Sequence, residues 1–144
     1  MGAIELTALL WREREALQTA VERQQQLLEA LRESDGGAVD DSLAALARAL
    51  DELRPVILER DIEITALADD WGVLTELTVA LLPRFAPPGP WSRIFADHLD
   101  ALTDLATRAV ATGLTVDELL RRRGVTEGMR LPVSRSMYTG SVED

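Results

Sequence analysis

Between residues 41 and 71, the positions Leu43, Leu46, Leu50, Leu53, Ile57, Arg60, Ile64, Leu67 and Trp71 recur at alternating steps of three and four. A helix of about 3.6 residues per turn gathers such positions into one seam. All are apolar except Arg60. At roughly 1.5 Å per residue this helix would run about 45 Å, far longer than the average globular helix. So long a seam needs a partner of similar length. Val56, Leu58 and Ile62 lie off the seam and predict a further partner on the flank.

The partner lies just upstream. Residues 3–33 read as one helix with the seam Leu6, Leu10, Glu13, Leu17, Ala20, Gln24, Leu27, Leu31. Glu13 and Gln24 are polar on that seam and mark a wet gap, a partner's approach or a fixed register. Ser34, Asp35, Gly36 and Gly37 stop the helix, with the glycines suited to the left-handed conformation after its end. Asp40, Asp41 and Ser42 are good N-cap residues for the second helix. A loop this short forces the two helices antiparallel. Pro55 removes one backbone hydrogen bond from the second helix. The seam continues in phase across it, which predicts a kink and not a terminus.

Gly72 ends the second helix, and Leu74, Leu77, Leu81 and Leu82 form a short amphipathic stretch closed by Pro83. Four prolines and a glycine in residues 83–90 predict a rigid connector. A third long helix follows over about 90–112, with Pro90 at its start and the seam Trp91, Phe95, His98, Leu102, Leu105, Ala109, thickened by Ile94 and Leu99. Gly113 ends it. Thr115 to Glu118 has capping-box spacing and opens a short helix that ends at Arg123. The remaining residues carry scattered apolars without a period and predict a mobile tail. The expectation is an all-α fold: a long, coiled-coil-like antiparallel hairpin with a third helix packed on its open end and a mobile C-terminal tail. The domain division is 1–112 and 113–144. Trp11, Trp71, Phe85, Trp91 and Phe95 are expected to cluster at the open end.

Composition narrows what such a fold does. The 144 residues suit one domain with a real core. Residues 1–112 hold 20 acidic residues against 10 Arg, net −10, and 113–144 hold 5 of each, net 0. An acidic helical body repels nucleic acid and anionic membrane at long range. There is no Cys, which removes disulfides, thiolate nucleophiles and Cys-ligated zinc. Residues 1–10 lack a basic flank of the signal-peptide kind, and no window approaches a membrane span. A soluble cytoplasmic protein is expected.

Catalytic chemistry finds little footing. Asp97, His98, Asp100 and Asp104 form the one His-plus-carboxylate group, and no second His exists to complete a metal or general-base site. No catalytic residue, cofactor or metal ligand is expected. The run from Arg121 to Arg123 reads as favourable charge at a helix C-terminus.

The run Leu10-Trp11-Arg12-Glu13-Arg14-Glu15, followed by Gln24-Gln25-Gln26-Leu27-Leu28, resembles the start of the FlgN-like proteins of actinobacteria. Pro90-Trp91, Asp97-His98 and Ala101-Leu102 match a proline-tryptophan helix opening, and Tyr138-Thr139-Gly140 looks like the short tyrosine-containing end of such sequences. The likeness spans most of residues 4–112, while 35–50 and the region after Gly113 depart from the pattern. It implies a flagellar type III export chaperone that holds hook–filament junction proteins before secretion, with export-apparatus components as further partners. Such proteins grip a helix at the client's C-terminus through their own C-terminal region. An amphipathic client helix would lie against apolar positions of the third helix and beyond, here Val110, Leu114, Leu119, Leu120, Met129 and Leu131, the alternative being that Leu119 and Leu120 fold back on the hairpin. The competing expectation is a helical scaffold that self-associates through Val56, Leu58 and Ile62 and has no export role.

Overall fold

Both three-four seams fold as helices and pack against each other. In the computed structural model, which describes residues 2–125 and 129–140, α1 is Gly2–Glu33 and α2 is Gly36–Asp70. A 3-10 turn, Val79–Leu81, leads into α3, Leu82–Phe85. Then come α4, Trp91–Arg122, and α5, Arg135–Thr139. Among the described residues there is no strand. The fold is all-α, built on a helical hairpin.

The hairpin turn is tighter than expected. Ser34, not a glycine, takes the left-handed conformation, with φ 57°. Asp35 then caps α2, accepting hydrogen bonds from the backbone N–H groups of Gly37 at 3.1 Å and Ala38 at 3.2 Å. Because one carboxylate serves two free amides of the first turn, α2 begins at Gly36 and the expected cap at Asp40 to Ser42 lies inside it. The helix runs on through exposed Pro55 and stops at Gly72, which has φ 68°. Pro83 falls in the first turn of α3 and opens that helix instead of closing the stretch before it.

The third long helix corrects the largest expectation. It does not stop at Gly113 but continues to Arg122, so the division at 112/113 falls in mid-helix and the separate short helix from Thr115 does not exist. Gly113 is buried, and a Cβ there would stand 3.2 Å from Gln24 Nε2. The glycine is therefore a point of close approach between α4 and α1. At the far end, a Cβ on Gly36 would meet Arg123 Nη2 at 3.9 Å. The helix thus spans the hairpin from its open end to its tip instead of sitting on the open end alone. The core follows from this, since α1 packs against both α2 and α4 and buries Leu6, Leu10, Leu17, Ala20, Leu27 and Leu31.

The tail is corrected as well. Residues 129–140, expected to be mobile, fold back on the bundle, while 126–128 and 141–144 lie outside the described residues. Leu131 and Tyr138 enter the core, and α5 packs on α4 and the 3-10 turn. Ser134 caps α5 by accepting from Met137 N–H, and Gly140 closes it with φ 74°.

A groove beside the fourth helix as candidate functional site

Two kinds of feature could carry function here: polar groups buried inside the bundle and apolar groups left outside it. The largest buried polar group sits where the α1 and α2 seams are not apolar. Arg60 donates through Nε to Glu13 Oε1 at 2.8 Å and through Nη2 to Oε2 at 2.9 Å, and both residues are buried. Tyr138 adds a third bond, its hydroxyl donating to Glu13 Oε2 at 2.7 Å. Arg60 also bonds Asp61.

Burial alone would lower the Arg60 pKa, but the bonds to Glu13 and its charge outweigh that and hold it above the ordinary arginine value. Burial first, and the Glu13 carboxylate second, push the Tyr138 phenol above its usual range. Arg60 and Tyr138 thus both keep their protons near neutral pH. Such a cluster pins α1, α2 and the tail together.

The His-plus-carboxylate group of α4 does not assemble. His98 is buried, receives a hydrogen bond at Nδ1 from Arg14 Nη1 at 3.2 Å, and meets the Trp11 ring edge-on at 4.8 Å. The Arg14 guanidinium also lies over the Trp11 ring, 4.1 Å from its centre. Burial, and then the Arg14 charge, lower the His98 pKa, with Asp97 opposing. Asp97, Asp100 and Asp104 are exposed. Trp71, Phe95 and Trp91 do cluster at the open end, with centroids 6.2 and 6.3 Å apart, and Phe85 packs against the same core. Trp11 does not join them: it is half exposed, held on the α4 side by His98.

The six apolar positions singled out for partner binding divide. Leu120 is 1 % exposed and Leu131 is also buried, so both are core residues in this conformation. Because α4 continues past Gly113, Leu120 faces inward on the same seam as Ala109 and Val116. Leu119 and Met129 are half-buried against the core. Val110 and Leu114 are exposed, at 45 % and 60 %. One turn of α4 apart, they share a face. Val110, Leu114 and Leu131 meet in one groove between α4 and the returning tail, where a cavity of about 120 Å³ is also lined by Gln24, Ala109 and Val133.

Five residues of this lining, Gln24, Ala109, Gly113, Arg130 and Val133, were not among the expected six. Gln24 carried a signal, being polar on an apolar seam, whereas nothing in the aperiodic tail placed Val133 beside α4. A second exposed apolar pair lies on α2, Leu58 and Ile62, while Val56 is buried. No helix among the described residues is long and apolar enough to cross a membrane. Comparison with family models, curated proteins and solved structures gives no match to this chain.

Proposed function

We propose that the protein binds and holds a helical segment of another protein in the groove beside α4, as an export chaperone of the flagellar type that its sequence resembles. The observation that carries this is the convergence of Val110, Leu114 and Leu131 on one groove. Exposed apolar residues one helical turn apart are the ridge an amphipathic client helix packs on. The acidic helical body also keeps such a complex soluble and free of nucleic acid. The clients of this reading are hook–filament junction proteins, held before secretion, with no enzymatic step.

The test is calorimetric titration of the full chain with the C-terminal segment of the organism's hook–filament junction protein. Removing residues after Thr112 would cut α4 in mid-helix and take Tyr138 away from Glu13, so point substitutions serve better. Sub-micromolar binding that Leu114→Asp abolishes supports the holding reading. Absence of binding by the unmodified chain defeats it.

The alternative is a self-associating scaffold, and one observation favours it: Leu58 and Ile62, also one turn apart, are 61 % and 62 % exposed on α2. Sedimentation of the protein alone separates the two. A dimer that Ile62→Asp dissolves supports the scaffold, and a monomer at all concentrations removes it.

A further inference from the structure

The groove beside α4 is too small, as it stands, to hold a helix. Stable partners bury roughly 800 Å² on each side, and the exposed ridge of Val110 and Leu114 is two side chains wide. The cavity next to that ridge, about 120 Å³, admits a side chain and no more, since one helical turn about 10 Å across fills roughly 400 Å³. Seating a helix here means moving a wall. Two of the walls are α1 and α4, helices of 32 residues each that pack on one another. The third is Arg130, Leu131 and Val133 of the tail.

The tail is the wall that can leave. The chain departs from α4 through Gly124, with φ 82°, and the tail's one helix, α5, is five residues long. Space borders the tail on two sides: the 120 Å³ cavity against α4, and a cleft of about 830 Å³ where Ser136, Met137 and Gly140 face Arg60 and Thr65 of α2 and the 3-10 turn. Interiors packed to native density leave few such voids, so lifting this segment breaks fewer contacts than lifting a fully packed one. Nor does it orphan a charge. When the Tyr138 hydroxyl goes, Glu13 keeps both of its bonds to Arg60, and the hairpin stays paired. The bond from Arg130 to Asp117 involves a side chain 71 % exposed, where ion pairs contribute little. We propose that residues 129–140 are a detachable strap that opens while α1, α2 and α4 stay folded, and that the held helix takes its place against α4. Leu131 then stands, inside the free protein, where an apolar residue of the client sits in the complex. The exchange of strap for client rests on the function proposed above; the opening rests on the tail's own geometry.

The test reads opening and binding separately. Amide hydrogen exchange on the full chain follows Met137 and Gly140, whose N–H groups bond Ser134 Oγ and the Ser136 carbonyl, beside amides of α1 and α2. The tail amides are expected to exchange through local opening, more than about tenfold faster than the most protected hairpin amides. Equal rates, with the tail released only when the hairpin unfolds, overturn the strap. Calorimetry with the C-terminal segment of the hook–filament junction protein then reads the competition. A ligand whose seat is blocked binds more weakly in proportion to the open fraction. Tyr138→Phe removes a bond to a charged acceptor from the closed state, so it should tighten segment binding by about ten- to a hundredfold. Leu131→Ala should tighten it as well, whereas Leu53→Ala, a core loss in α2 away from the tail, should not. Binding that stays level or weakens in both tail variants overturns the strap and leaves the holding function standing, with the tail a fixed wall of the seat. Local opening with no segment bound by any form upholds the opening and defeats the function proposed above.

Discussion

Glu13 and Arg60 face each other across the α1–α2 seam, both guanidinium-to-carboxylate bonds made and neither side chain reaching solvent. Two charges taken out of water cost several kcal/mol each, and only a partner with matched geometry offsets that. The bidentate fork of Arg60 supplies it on one side, and the Tyr138 hydroxyl supplies a further donor to the same carboxylate. The pair therefore fixes the register of the hairpin and the place where the tail returns.

Removing one partner should be worse than removing both. Arg60→Met leaves Glu13 buried with one neutral donor, and an uncompensated buried charge costs about 3–5 kcal/mol. The double variant Glu13→Met/Arg60→Met leaves only the Tyr138 hydroxyl unpaired and should recover part of that loss. Urea denaturation of both variants checks this. A double variant less stable than the single one would mean that the cluster is held by something other than its charge pairing.

Tyr138 gives the tail a pH signature. Its folded pKa lies above the unfolded value of 10.0, so the folded state holds the proton more tightly. The stability this contributes is complete below about pH 10 and falls as pH rises beyond it. The chain has one Tyr, no Lys and no Cys, so no other side chain titrates in that window short of arginine. Tyr138→Phe should cost about 1.5–3 kcal/mol at neutral pH, the worth of a bond to a charged acceptor, and should flatten stability between pH 9 and 11. A variant that keeps the unmodified slope would show that the tail does not dock through this hydroxyl.

The hairpin was legible because a three-four seam is a property of the chain alone. The Glu13–Arg60 pair was nearly so. Both positions interrupt their seams, and counted from Gly36 near the tip they stand 36 − 13 = 23 and 60 − 36 = 24 positions away, which antiparallel packing places opposite each other. Gly113 misled for a physical reason: the same lack of a Cβ that ends helices also permits close approach. Only the position of Gln24 on α1 tells which applies. Tyr138 was not legible, because a short capped helix docked by one hydroxyl leaves no periodic trace. That reading of the C-terminal part put Leu120 and Leu131 among the partner-binding positions, and the structure buries both, Leu131 at the wall of the groove.

Leu120 and Leu114 therefore separate core from surface within one helix. Leu120→Ala empties a buried site and should cost about 2–5 kcal/mol. Leu114→Ala removes a mostly exposed side chain and should stay within about 0.5 kcal/mol. Thermal or urea unfolding of both variants decides it. Equal losses would place Leu114 inside a packed interface and remove the free ridge on which the holding function depends.

His98 supplies the corresponding test on the acid side. It packs against Trp11 and Arg14 of α1, with Asp97 beside it on α4, and the net effect lowers its pKa below the ordinary 6.5. The unfolded chain thus takes up the proton first as pH falls. Stability from the neutral, buried ring is complete above about pH 6.5 and is lost as pH drops toward the folded value. It is the one His in the chain, and carboxylates that titrate near pH 4 contribute little above pH 5.5. Denaturant midpoints should fall between pH 7.5 and 5.5 in the unmodified protein and stay level in His98→Gln. The same fall in both would mean that His98 exchanges its proton as freely folded as unfolded, which its enclosure by Trp11 and Arg14 forbids.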